Sequence, residues 1–302
     1  MTRQASLIFN PVAGQTDPQQ DLAELRQLLG SDLALDVRQT TAEIGADRLA
    51  REAIEAGTDL VIAAGGDGTV SQTAQAVLNT EIPMGIISRG TANAFATAMD
   101  IPAGLQAACQ TILTGRVRTV DAASCNGRLM LLLASIGWGA EAIEHADRRV
   151  KDRFGMSAYV IAGIDQLRDL DRFEVKIATE SETIEVSASS VAVANAAPAT
   201  SILAQGPAGV IVDDGRLDLT VIAPANPAGM IAAAYTLFHS SLRGDSVDRE
   251  GISYLRSPQF RIETHPAQKV AVDGDYIGTT PVEVKCIPSA LRLLVPTEGT
   301  NE

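Results

Sequence analysis

Cysteine is scarce in this sequence. Cys109, Cys125 and Cys286 are odd in number and show no CxxC spacing, so neither a disulfide framework nor a zinc site is implied, and a reducing cytoplasm is the expected setting. Histidine is as rare. His145, His239 and His265 lie far apart and match no nucleophile triad or metal spacing, which leaves them as ordinary surface or partly buried residues. Basic residues are outnumbered, with 24 Lys and Arg against 37 Asp and Glu and a formal charge of −13. That balance excludes nucleic acid as a partner, because such binding is dominated by phosphate neutralisation, and it excludes bulk electrostatic adhesion to anionic lipid. No run is long and apolar enough to span a bilayer. The uncharged stretch at 186–212 is interrupted by Pro198, Gly206, Pro207 and Gly209, and it suits buried strands and cleft walls. Met1-Thr2-Arg3-Gln4 leads into an expected strand without the apolar core of a signal peptide.

What is present points to two domains. At 302 residues, with 46% hydrophobic content, the chain exceeds the usual single-domain size and can bury a sizeable core. Up to residue 124, expected strands and helices alternate: 6–10 then 17–29, 33–38 then 43–56, 60–64 then 70–78, 84–88 then 92–99 and 105–113. Such alternation implies a doubly wound parallel sheet. Thr40 with Glu43 reads as a capping box opening the second helix, a structural duty that competes with a nucleotide role for Thr40 or Thr41. Beyond Asp121 the pattern turns to strands at 129–136, 172–178, 183–194, 217–223, 260–264 and 269–272, interrupted by helical stretches near 142–170 and 227–242. A mostly antiparallel β domain is expected there.

The run Leu60-Val61-Ile62-Ala63-Ala64-Gly65-Gly66-Asp67-Gly68-Thr69-Val70 empties an apolar strand into a glycine turn with one acidic and one hydroxyl side chain. Glycines permit close backbone approach, so successive amides can point at an anion, and the following helix adds its positive end. A carboxylate beside polyphosphate is repulsive unless it meets a cation. Asp67 therefore suggests a magnesium nucleotide, against the plainer reading of a strand-to-helix turn with a solvated Asp. Ser88-Arg89-Gly90-Thr91-Ala92-Asn93-Ala94-Phe95-Ala96 and Leu7-Ile8-Phe9-Asn10-Pro11-Val12-Ala13-Gly14 repeat the arrangement. Three strand-end loops of one parallel sheet thus carry small and polar residues, where open α/β sheets bind ligands.

Taken together and in this order, NPVAG at 10–14, GGDGT at 65–69, GTANAFA at 90–96 and VDGDYIGTTPVEV at 272–284 resemble the diacylglycerol kinase catalytic-domain family, with its soluble bacterial lipid kinases and sphingosine kinases. GGDGT alone is shared with NAD kinases and phosphofructokinases. The resemblance implies an α/β first domain, Rossmann-like and of the phosphofructokinase and NAD kinase kind, at 1–124 with a C-terminal return at 288–302. It implies a mostly antiparallel β-sandwich at 125–287 as the lipid-substrate domain. Phosphoryl transfer from ATP to a lipid hydroxyl such as that of diacylglycerol is the implied activity, with Mg2+ as cofactor and the chemistry between the domains. The implied donor cradle is Asn10, Pro11, Gly14, Thr40, Gly65, Gly66, Asp67, Gly68, Thr69, Thr91 and Asn93. Asp67 and Asp121 are the implied magnesium-organising carboxylates. The family's base lies in a DGE-type hairpin, here Asp273-Gly274-Asp275, which names Asp273 and departs from the pattern at Asp275. Asp-Gly is equally a common hairpin turn.

Asp213-Asp214-Gly215-Arg216-Leu217-Asp218 resembles the family's structural magnesium loop, with Asp214 giving a side chain and Ile211 and Arg216 giving carbonyls. Asn195 precedes Gln205-Gly206-Pro207, where many relatives have a glycine triplet, and that departure bears on the shape of the acceptor pocket. A transient membrane contact is expected at the inner membrane, through the basic run at 148–153 or the apolar segment at 230–242. Trp138 reads as a core residue, and a homodimer is left open. An NAD kinase-like small-molecule kinase and a catalytically silent lipid-binding regulator are the alternatives.

Overall fold

The computed structural model describes residues 2–137, 140, 172–198, 209–223 and 252–297. The helical stretches expected near 142–170 and 227–242, Trp138, His145, His239, the basic run at 148–153 and the segment around Gly206 lie outside the described residues. The chain divides into two compact units, Met1–Val120 with Ser289–Glu302, and Asp121–Pro288.

The first unit is the expected parallel sheet with helical crossovers. Strands β1 (Arg3–Phe9), β2 (Leu33–Gln39), β3 (Leu60–Gly65) and β4 (Met84–Ser88) lie in the order β2-β1-β3-β4, every pair parallel. β3 is buried along its whole length, which is why its sequence is a continuous apolar run instead of an alternation. Helices α1 (Pro18–Leu29), α2 (Ala46–Glu55), α3 (Asp67–Val77), α4 (Ala94–Ala98) and α5 (Leu105–Thr114) make the connections. In α1 the Asp17 side chain accepts from the Gln19 amide, Pro18 takes the first helical position, and Leu22, Leu25 and Leu29 form the buried stripe. Leu25 is fully buried, so Leu25→Ala should cost about 2–5 kcal/mol.

The capping box expected of Thr40 and Glu43 is not formed. The Thr41 hydroxyl instead accepts from the amides of Glu43 and Ile44 at 3.2 and 3.1 Å, closing a turn of its own. α2 starts three residues later behind Gly45, and Gln72 Oε1 accepts from the Ala46 amide.

β5 (Arg116–Cys125) carries the chain into the second unit, which is built of antiparallel strands. They are β6 (Arg128–Met130), β7 (Leu133–Gly137), β8 (Phe173–Ala178), β9 (Thr183–Ala188), β10 (Ser190–Ala194), β11 (Leu217–Ile222), β12 (Ile252–Ser257), β13 (Gln259–His265), β14 (Lys269–Val272), β15 (Asp275–Thr279) and β16 (Val282–Val295). One sheet runs β12-β11-β10-β7-β14-β15. The other runs from the first half of β16 through β13 and β8 to β9. Two strands expected to be continuous are broken. Residues 129–136 divide at Leu131–Leu132, and 183–194 divide at Ser189, where the chain leaves β8 and joins β7 and β11. The unit's core joins both sheets, with Ile136, Val193, Leu219 and Val270 from the first and Val175, Phe260, Ile262 and Val284 from the second. β16 ends in the first unit, where Leu293 pairs with Met84 and Leu294 enters the core.

Candidate functional site

In the first unit, three strand ends converge through their backbones. The Asn10 amide donates to Ala64 O at 2.9 Å and the Arg89 amide to Gly65 O at 2.8 Å, so the loops after β1 and β4 are both pinned to the end of β3. Gly66 and Gly90 meet backbone to backbone. A Cβ on Gly90 would stand 2.7 Å from the Gly66 Cα, which only glycine avoids. Gly65 lies under Thr69, whose Cβ would stand 2.5 Å from an added Cβ. Gly68, by contrast, faces open space, so nothing in the fold requires glycine there and room is left for a ligand.

The other predicted cradle residues differ in what they hold. Asn10, Thr69, Asn93 and Gly14 build the loops themselves. Asn10 Nδ2 donates to Thr69 Oγ1 at 3.0 Å, the Val12 amide donates to Asn10 Oδ1 at 3.1 Å, and the Asn93 amide group clasps Gly90 through both its oxygen and its nitrogen. Asn93 sits at φ 46° as it does so, and Gly14 at φ 91°, against the Arg89 carbonyl. Asp67 is the first residue of α3, where the first helical amides have no intrahelical partner. Pro11 is half-buried in the first loop and Thr91 is exposed. Thr40 stands at the end of β2 with its amide on Phe9 O, at 2.9 Å.

Asp67 is the electrostatic anomaly of this group. Burial pushes its carboxyl above the usual range, opposed by the Phe95, Ala94 and Asn93 amides. Its Oδ1 accepts from the Phe95 amide at a long 3.4 Å, and among the described residues no cationic side chain pairs with it. A desolvated carboxylate short of positive charge suits a magnesium nucleotide, with amides and cation sharing the phosphate charge.

Sequence reasoning missed the residue that ties these loops together. Arg89 has a side chain only 3% exposed. It donates to Asn10 O at 2.6 Å and to Asp21 Oδ2 at 2.7 Å, and it lies 4.3 Å from the centre of the Phe9 ring. A long cationic side chain inside a run of Gly, Thr, Ala and Asn was the available signal, because arginine is buried only when paired.

In the second unit, Asp273 and Gly274 at φ 50° and 89° form the two-residue turn between β14 and β15. The hairpin reading and the functional reading therefore name the same residue. Its carboxylate receives the amides of Leu131, Leu132 and Leu133 at 2.8, 2.9 and 3.0 Å, which is why the expected strand 129–136 breaks at this point. Three amide donors stabilise a carboxylate, yet burial outweighs them and raises its pKa to about 6. Arg128, paired with Asp275 at 2.5 Å, adds a smaller opposing pull. Asn195 Nδ2 donates to Leu131 O at 2.9 Å and to Asp121 O at 3.3 Å.

Asp121 meets the 213–218 turn. It is 3% exposed, and its Oδ2 accepts from the Gly215 amide at 2.7 Å. Burial, followed by the Asp121 and Asp214 charges, pushes the neighbouring Cys286 thiol up to about 12, so this thiol is inert. Asp214 Oδ1 accepts from the Arg216 amide at 3.0 Å, and its Oδ2 lies 3.3 Å from Arg256. Arg256 also forks onto Asp218 at 2.9 and 3.1 Å and reaches Gly209 O. The turn already holds a fixed positive charge, so a cation at Asp214 would share its carboxylate with a guanidinium. Among the described residues no group of three or more His, Cys, Asp or Glu is placed to hold a metal ion, and no helix is long and apolar enough to cross a membrane.

Comparison with known proteins bears on both units. Residues 4–125 match the family model described as diacylglycerol kinase catalytic domain, and residues 133–295 match the YegS C-terminal NAD kinase beta sandwich-like domain. An uncharacterized protein of Synechocystis sp. is 43% identical over 99% of this chain and 72% of its own length. A protein named diacylglycerol kinase from Bacillus subtilis is 28% identical over 99% of both chains. The solved structure of a diacylglycerol kinase from Bacillus anthracis str. Sterne matches at TM-score 0.75 and 22% identity over 97% of both chains, a likeness of fold. An α/β catalytic unit followed by a YegS-type sandwich places this chain in the diacylglycerol kinase and YegS-like lipid kinase family.

Proposed function

We propose that this protein transfers the γ-phosphate of ATP to a lipid hydroxyl of the diacylglycerol kind, with Asp273 as the general base. The observation that carries the reading is Asp273 itself. Its carboxylate is fixed by three amides in a desolvated setting that raises its pKa to about 6. A base poised near the working pH, oriented before the substrate arrives, is what deprotonation of an alcohol asks for. The pinned glycine loops of the first unit support donor binding. Asp67 would hold Mg2+ on the nucleotide, whose chemistry is to offset charge on the transferring phosphoryl group. Asp121, bound to the 213–218 turn, is assigned a supporting part in the second unit.

The acidic chain is proposed to act from the cytoplasm and to meet the inner membrane only transiently, since net charge −13 opposes adhesion to anionic lipid. The test is transfer of label from γ-labelled ATP to a total lipid extract, with NAD as a parallel acceptor. Label in a lipid, and a loss of about 10²- to 10⁴-fold in Asp273→Asn, is the expected result. Label in NAD alone, or full turnover in Asp273→Asn, overturns the reading.

A further inference from the structure

The six-stranded sheet of the second unit has one apolar face and one unusual face. Ala134, Ile136, Val191, Val193, Leu217, Leu219, Val221, Val270 and Val272 alternate into the core. On the other face, the register lines up one residue from each strand: Tyr254 opposite Thr220, Thr220 opposite Ala192, Ala192 opposite Ser135, Ser135 opposite Ala271, and Ala271 opposite Tyr276. Five buried side-chain polar atoms among the described residues have no hydrogen-bond partner, and three of them, Ser135 Oγ, Thr220 Oγ1 and Tyr254 Oη, stand in this row. A fourth, Asn195 Oδ1, belongs to the residue that holds the Leu131 carbonyl.

A buried hydroxyl without a partner costs about 1–3 kcal/mol. Three of them in one row, with Ser135 fully buried and Thr220 1% exposed, is a cost that a bound partner would relieve. Burial also pushes the Tyr254 hydroxyl up to about 12, so it remains a donor at every physiological pH. The row leads to the base. Ser135 is two residues along β7 from Leu133, whose amide binds Asp273, and Ala271 is two residues before Asp273 on β14. Two strand residues span roughly 7 Å.

We propose that Ser135, Thr220 and Tyr254 form the polar recognition row for the ester oxygens of a glycerolipid acceptor, whose free hydroxyl they present to Asp273. The inference rests on the lipid kinase reading and adds to it the acceptor's linkage chemistry. Hydroxyl donors in an apolar setting select an acceptor with carbonyls on an otherwise greasy body, and they discriminate against one that lacks them, because the donors then stay unpaired.

The probe pair is dioctanoylglycerol, an ester, and dioctylglycerol, its ether analogue. Their affinities for the full-length protein and for Ser135→Ala, Thr220→Val and Tyr254→Phe are measured by calorimetry without nucleotide. The parent should favour the ester by about tenfold or more, and each variant should lose much of that preference while its ether affinity is unchanged. The melting temperatures should hold or rise, since each change removes an unpaired buried hydroxyl. A row that served only the fold would show the reverse, a lower melting temperature and equal affinity changes for both probes. An unchanged ester-to-ether ratio overturns the proposal even if the protein phosphorylates lipids. Loss of the ratio in a protein that transfers no phosphate retires the kinase reading and keeps the row. A parent that binds neither probe overturns the row outright.

Discussion

Arg89 and Asp21 make the sharpest stability test in the first unit. Arg89 is buried and Asp21 half-buried, so removing the carboxylate strands a buried guanidinium, at about 3–5 kcal/mol, and removing the guanidinium strands a partly solvated carboxylate at less. Arg89→Met should lower the melting temperature and weaken Mg-ATP binding together, since the loop of Asn10 loses its clamp. Asp21→Asn with Arg89→Met should cost less than the sum of the single changes, and a double-mutant cycle reads the coupling. Additive losses would mean that Arg89 works through Asn10 and Phe9 alone.

Asp273 makes a test of a different kind. Its pKa near 6 lies above that of a free carboxyl, and a base works only when ionised. The rate kcat/KM should therefore climb through pH 6 and level off above it. A pH profile whose acid limb sits near 4 would place the essential group elsewhere.

The loops between strand and helix separate glycines that the fold needs from glycines that a ligand needs. Gly90→Ala must push apart the segments that carry Gly66 and Gly90, so both stability and nucleotide affinity should fall. Gly68→Ala meets nothing in the protein, and alanine favours a helix by about 1 kcal/mol over glycine. It should hold or raise the melting temperature while reducing Mg-ATP affinity, as calorimetry would show. Full affinity in that variant would remove Gly68 from the cradle.

The 213–218 turn poses the matching question for a cation. Arg256→Met should destabilise the second unit by leaving Asp218, which is buried, without its fork. If the guanidinium is the turn's positive charge, Mg2+ without nucleotide should not raise the parent's melting temperature and should partly rescue the variant. A parent stabilised by Mg2+, with the effect lost in Asp214→Ala, would assign the turn to the metal.

The sequence made the alternating half of the fold legible, because buried parallel strands and amphipathic helices leave strong periodic marks, as in 60–65 and in the Leu22, Leu25 and Leu29 stripe. It also pointed to the strand-end loops and to Asp273. It did not reveal β12 or β15, whose short sequences lack such periodicity, nor the breaks at Leu131–Leu132 and Ser189, which answer to partners far along the chain. Arg89 with Asp21, and the row of hydroxyls, stayed hidden for the same reason. Each exists only through pairings between distant positions, and single-strand patterns carry no register.

The division of the chain has a further consequence. The first unit is interrupted after Val120 and completed by Ser289–Val295, whose Leu291 and Leu293 are fully buried. On a ribosome, the N-terminal residues emerge long before the strand that finishes their sheet. At typical synthesis speeds the wait is roughly 10 to 35 s. Throughout that interval β4 offers a bare strand edge, with Met84, Ile86 and Ile87 among the most buried residues of the finished protein. The nascent chain is thus most adhesive in mid-synthesis, and its yield in a cell should depend on chaperone supply more than the stability of the completed protein would suggest.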